Sequence, residues 1–147
     1  MTLFYSGITR LAKGLLQDVV RRVNGMERAY LFTHGRIGEL AQDAREAIGF
    51  RDLDTLGRVI GETFRENKLI HESTTNADME RMIEETASCR IGVKLLGAGG
   101  GGFALFVSKD LELAGLLRRM LRESYEDDRA RLVDFSLNKK GLEVTVS

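Results

Sequence analysis

The residues in this 147-residue chain whose pattern most invites chemistry carry no side chains at all. Lys94-Leu95-Leu96-Gly97-Ala98-Gly99-Gly100-Gly101-Gly102-Phe103 sets five glycines into six positions. Apolar residues flank the row on both sides, Ile91-Gly92-Val93 before it and Phe103-Ala104-Leu105-Phe106-Val107 after it. Holding one glycine in a fixed conformation costs about 0.5–1 kcal/mol relative to alanine, so something must require the row. Two needs fit: positive φ at successive residues, or a backbone surface that another group approaches closely. Consecutive amides turned inward form an anion-binding concavity, which points to a phosphate or to an adjoining phosphate loop. A glycine-rich hairpin with only a structural duty is the plainer alternative.

Other glycine chemistries fit less well. Gly97-x-Gly99-x-x-Gly102 has the dinucleotide spacing, but that fingerprint opens a helix, and here a β-rich run follows. No Lys-Ser or Lys-Thr follows the last glycine, as a Walker loop needs. The chain has neither the His-Arg-Asp nor the Asp-Phe-Gly triplet of protein kinases. Strand, glycine loop, strand is what remains. Cys89 is the sole cysteine and precedes an apolar strand, so it reads as a buried structural thiol in a reducing, cytoplasmic setting. His34 and His71 lack partners at metal-ligand spacing, so neither a metal site nor a catalytic side chain is assigned.

The surrounding composition sets further limits. Lys plus Arg and Asp plus Glu both number 22, which gives no long-range field to recruit nucleic acid or an anionic membrane. No apolar run approaches the ~20 residues of a membrane span. Without proline, Ser/Gly linkers or repeats, residues 1–147 read as one domain.

The loop must be positioned by the rest of the chain. Leu3-Phe4-Tyr5 reads as the end of a strand that begins upstream, a hint of a longer protein, and Thr9 as the cap of the helix after it. Leu11, Leu15, Val19 and Val23, with Ala12, Leu16 and Val20, trace the inward face of that helix, which Asn24-Gly25 ends. A second helix spans about 36–48, with Ile37, Leu40, Ala41, Ala44 and Ile48 inward and Gly49 as its stop; residues 26–35 could extend it backwards. Asp52 caps a third, with Leu53, Leu56, Val59, Ile60 and Phe64 buried and an end near Asn67-Lys68. Gly57 and Gly61 on one side of it call for close packing. After the polar stretch 72–76 comes a short helix with core residues Met79, Met82 and Ile83. Beyond the glycine loop, Asp110 caps a helix with Leu113, Leu116, Leu117, Met120 and Leu121 inward, and Glu123 to Arg131 form a solvated end. Val133, Phe135 and Leu137, then Leu142, Val144 and Val146, alternate as a closing hairpin. The expected fold is α+β, a ferredoxin-like antiparallel sheet with additional helices.

These residues resemble a known family. Lys94 to Phe103 resembles the third conserved motif of the GHMP small-molecule kinases, which lies in their C-terminal domain. Phe4-Tyr5-Ser6-Gly7-Ile8-Thr9-Arg10 is similar to the strand and turn that open this domain in the sugar-kinase branch, and Phe64-Arg65-Glu66-Asn67-Lys68 to that branch's aromatic-x-x-Asn-Lys segment. Arg131-Leu132-Val133-Asp134-Phe135-Ser136-Leu137 and Lys140-Gly141-Leu142-Glu143-Val144 are similar to the closing hairpin of L-fucokinases. Heptose-phosphate kinases share much of the pattern, and a galactokinase-like domain is a further alternative.

The resemblance implies ATP-dependent phosphorylation of a sugar at its anomeric hydroxyl, L-fucose first. It implies an active site between two domains, with the phosphate loop and the principal nucleotide, magnesium and sugar contacts in an N-terminal domain that this chain lacks. ATP and magnesium then serve the intact enzyme, and neither is expected on this chain alone. Gly97, Ala98, Gly99, Gly100, Gly101 and Gly102 would support the neighbouring phosphate loop. Thr9 and Arg10 would lie on the substrate side of the cleft, and Lys94 would pair an acid or help position anions. The partners implied are the N-terminal GHMP kinase domain and the sugar, with self-association through the exposed domain interface. The competing reading is a free-standing α+β module that holds a small anion.

Overall fold

The computed structural model describes residues 1–8, 13–97, 99–124 and 127–137, with the backbone alone for 13–16. Four strands, β1 (Thr2–Tyr5), β2 (Gly92–Leu95), β3 (Phe103–Val107) and β4 (Arg131–Val133), form one sheet in the order β2-β3-β1-β4. Every pairing is antiparallel, with Phe4 opposite Ala104, Val93 opposite Phe106 and Leu95 opposite Ala104. Cross-strand partners share a face, so Phe4, Val93, Leu95, Ala104 and Phe106 line one side, and all are buried. Phe64, Met79, Met82, Ile83, Leu117 and Leu121 complete that core, with Cys89 fully buried among them. Burying each large apolar side chain stabilises the fold by about 1.5–3 kcal/mol. This is the expected ferredoxin-like strand order with helices added.

The helices are α1 (Lys13–Asn24), α2 (Arg28–Phe50), α3 (Leu53–Ile70), α4 (Ala77–Glu85) and α5 (Leu111–Glu123), with single 3-10 turns at Glu72–Thr74 and Ala87–Cys89. Side-chain caps start three of them where carboxylate or amide oxygens accept orphan amides. Asp52 accepts from Thr55 N–H, Asn76 from Met79 N–H and Asp110 from Leu113 N–H. The expected Gly57 packing is present: a Cβ on Gly92 would strike the Gly57 carbonyl, and one on Gly57 would meet Ile91 at 2.5 Å. Only the paired glycines let α3 lie this close to β2.

Several local expectations need correction. The second helix runs through Gly49 to Phe50 and stops at Arg51, whose φ of 56° bends the chain while its N–H and that of Asp52 hold the last carbonyls. Hydrogen bonding at that turn, rather than glycine, ends the helix. Its buried positions are Tyr30, Thr33, Leu40 and Ala47, so Ala41 and Ile48 face outward. Leu53 and Leu116 are also exposed, and α3 continues past Asn67-Lys68 to Ile70. On α1, Val20 and Val23 are exposed, so the apolar stripe there is not covered by this chain's described residues. The first arm of the closing hairpin ends at Val133; Phe135 and Leu137 lie beyond the ladder and are exposed. The second arm, 142–146, lies outside the described residues.

Candidate functional site

The glycine loop joins β2 to β3, and its first rung is the bond from Leu96 N–H to the Phe103 carbonyl. Gly97, Gly99, Gly100, Gly101 and Gly102 all have positive φ, between 72° and 154°. Residues with a Cβ adopt such angles at a cost of about 1–3 kcal/mol each, which accounts for the composition. The second need is met as well. A Cβ on Gly99 would collide with the Thr74 carbonyl, and one on Gly101 would lie 2.8 Å from the Ile8 side chain. Both needs left open by the sequence therefore operate together, and the groups that approach belong to this chain.

Two segments hold the loop. On one side, Gly100 N–H donates to the Thr74 carbonyl at 2.7 Å, and Asn76 Nδ2 donates to the Gly100 carbonyl at 2.7 Å. On the other, Gly102 N–H donates to the Ile8 carbonyl and Ser6 N–H to the Gly102 carbonyl, both at 2.8 Å. The Thr74 segment is itself fixed: its hydroxyl donates to the Asn67 carbonyl at 3.0 Å, and Ser73 N–H donates to His71 Nδ1 at 3.0 Å. Internal bonds thus consume the Gly100 and Gly102 amides. The amides of Gly99 and Gly101 have no hydrogen-bond partner among the described residues.

Thr9, Arg10 and Ala98 lie outside the described residues. Next to Thr9, Ile8 shows that the turn after β1 and the glycine loop meet, through its contacts with Gly101 and Gly102. Lys94 lies within β2 opposite Leu105, and none of the loop's hydrogen bonds among the described residues involves it. Its side chain is half-buried with no carboxylate partner among the described residues, and burial lowers its pKa. Lys68 forms an ion pair with Glu80 at 3.1 Å and lies 5.0 Å from the Phe64 ring centre, a structural duty at the end of α3.

Beside the β1 anchor lies a polar groove of about 640 Å³ lined by Ser6, Ile8, Asp78, Arg81, Glu123 and Asp127, among others. A hydrogen bond from Arg129 holds the Asp127 carboxyl below the usual range. Carboxylates outnumber the one arginine there, so its described walls do not suit a phosphate. Among the described residues, no three His, Cys, Asp or Glu side chains gather to hold a metal. Apolar surface borders the loop instead: Leu96 and Phe103 are exposed, and the Phe103 ring lies 5.1 Å from that of Tyr5.

The sequence did not reveal Thr74 and Asn76 as loop supports. Asn76 carries a legible signal as a helix cap, but its second bond joins residues 24 apart, and nothing local encodes it.

A family profile described as GHMP kinases C terminal matches residues 34–127. Over 145 residues the chain is 35% identical to the Bacteroides fragilis L-fucokinase/L-fucose-1-P guanylyltransferase, covering 99% of this chain and 15% of the relative. It is 34% identical over 124 residues to the Arabidopsis thaliana bifunctional fucokinase/GDP-fucose pyrophosphorylase, covering 84% and 12%. With the Campylobacter jejuni D-glycero-alpha-D-manno-heptose 7-phosphate kinase the identity is 28% over 144 residues, covering 95% and 40%. The chain therefore spans less than half the length of each of these relatives. Among solved structures, L. major mevalonate kinase in complex with R-mevalonate matches with a TM-score of 0.75 at 17% identity, covering 85% of this chain and 38% of that one. A Listeria innocua protein gives 0.78 at 17%, covering 92% and 38%. At such identity these two matches speak to the fold alone.

Proposed function

This chain belongs to the C-terminal domain family of the GHMP kinases, and from that premise we propose that residues 1–147 form one domain of an ATP-dependent sugar kinase. The reaction is transfer of the γ-phosphoryl group of ATP to the anomeric oxygen of a sugar, with ADP leaving. L-Fucose is the substrate favoured by the 35% identity that runs over nearly the whole chain. The observation that carries the proposal is the glycine loop, pinned on both flanks and bordered by exposed Leu96 and Phe103. A rigid backbone edge of this kind suits a neighbouring domain's phosphate loop.

Phosphoryl transfer depends on positioning and on charge stabilisation around the moving group. The described residues offer no metal-ligand cluster. In this reading the nucleotide and magnesium contacts come from an N-terminal domain, and the chain alone has no turnover. Self-association of the isolated chain through its exposed apolar side chains belongs to the same reading. So does a cytoplasmic location, which the single buried Cys89 suits. No helix among the described residues is long and apolar enough to cross a membrane.

The test is complementation. The N-terminal portion of the Bacteroides relative is expressed separately, mixed with this chain, and assayed for ATP-dependent phosphorylation of L-fucose. Restored turnover is the expected result. Turnover by the purified chain alone, or bound halves that remain inert, would sink the proposal. The likeness to the heptose 7-phosphate kinase motivates a parallel assay with that sugar. Micromolar binding of nucleotide by the isolated chain would instead favour the free-standing anion-binding module.

A further inference from the structure

We propose that Asn76 is a positioning residue of the glycine loop, setting the orientation of the Gly100–Gly101 peptide through a bond that its helix-capping duty does not require. Asn76 Oδ1 accepts Met79 N–H at 3.0 Å and starts α4, while Nδ2 donates to the Gly100 carbonyl at 2.7 Å. One amide group thus serves two elements, with its acceptor end on the helix and its donor end on the loop.

The consequence follows from peptide geometry. In a planar trans peptide the carbonyl of one residue and the N–H of the next point in opposite directions, and no cis bond occurs among the described residues. Tying the Gly100 carbonyl to Asn76 therefore turns Gly101 N–H away from Asn76. Gly100 N–H is held on the same side by the Thr74 carbonyl. Gly101 is buried, and its N–H has no partner among the described residues. Buried backbone amides are nearly always paired, so this buried donor, unlike the half-exposed Gly99 amide, is held for an acceptor beyond these elements. Glycine at 100 and 101 leaves both flanking torsions soft. The peptide could flip without steric penalty if the side-chain clamp were removed.

Asn76→Asp separates the two duties. Aspartate is as good a helix cap as asparagine, but it puts an oxygen where Nδ2 donates. Hydrogen exchange by NMR on the whole chain is the first readout. We expect Asn76→Asp to keep the thermal midpoint near wild type while exchange of the Gly100 and Gly102 amides accelerates about tenfold, the scale of one lost hydrogen bond. Asn76→Ser also retains a cap and cannot reach Gly100, so it should repeat the effect without adding a charge. The effect on activity rests on the kinase reading: with the complementing N-terminal half, kcat should fall about ten- to a hundredfold while KM for the sugar changes little. Unchanged loop exchange in both variants overturns the proposal whatever the activity assay shows. Accelerated exchange with no complementation by wild type leaves the clamp standing and removes the kinase reading instead.

Discussion

At the glycine loop, Gly99 lies against the Thr74 carbonyl and Gly101 against Ile8, and the adjoining Leu95 and Ala104 are almost wholly buried. Along α1, α2 and the turn between them, Val20, Met26 and Phe32 are 57%, 70% and 78% exposed. Both regions announce themselves in the sequence, one by missing side chains and the other by apolar ones. The loop finds its neighbours within the chain. The helical pair is joined by Arg22 of α1, which sits 5.7 Å from the Tyr30 ring centre on α2, while much of its apolar surface stays open. A helical apolar stripe records that something is to be covered, but not by what. A run of glycines records that something comes close, and here the chain itself supplies it.

The largest effect contrasts the core that carries the loop's strands with the open helical pair, by truncating one phenylalanine in each. Phe64 is 3% exposed and packs within the main core. Phe64→Ala should cost about 3–5 kcal/mol in urea unfolding. Phe32→Ser should change stability by less than about 0.5 kcal/mol and reduce self-association in sedimentation. Equal losses from both would show that α2 is as deeply packed as the sheet.

A smaller effect tests the loop directly. Gly99→Ala forces a Cβ into a φ of 79° and toward the Thr74 carbonyl. It should destabilise the chain by about 1–3 kcal/mol, whereas Gly35→Ala, with open space around its Cβ on α2, should stabilise by up to about 1 kcal/mol. A neutral Gly99→Ala would mean the loop relaxes freely, and the pinned geometry would lose its support.

Lys94 provides the smallest effect, and its sign can be worked out. Burial lowers its pKa from 10.5, so the folded state disfavours the charged form. Below the folded pKa both states are protonated and the full penalty applies. As pH rises through the folded value toward 10.5, the folded state loses its proton first and the penalty fades. Lys94→Met should therefore raise the thermal midpoint at pH 7, and the gain should shrink as pH approaches the unfolded value. A gain that grows with pH would contradict burial as the cause.

Much of the fold was legible because its signals are local. Asp52 and Asp110 cap helices from the positions their side chains allow, and short apolar runs marked β1 and β3. Gly49 misled because glycine is only one way to end a helix, and Arg51 ended α2 in the same left-handed conformation. Leu53, Ile48 and Ala41 misled because periodicity gives a face its width but not its rotation toward the core. Phe135 and Leu137 misled because alternation continues beyond the point where β1 stops offering partners.

By itself the sequence determined that residues 97–102 would be a backbone-only surface, and it determined the family resemblance those residues carry. Such properties depend on residue type and spacing, which the chain states outright. Only the tertiary structure decided that Thr74, Asn76, Ser6 and Ile8 would meet that surface, and so which of its amides are consumed. Those contacts bridge segments from 24 to more than 90 residues apart. The Ser6 and Ile8 contacts follow from the sheet order that brings β1 beside β3, and those of Thr74 and Asn76 from the packing of α3 and α4 on the sheet. Both are choices made by the core as a whole and written in no single stretch.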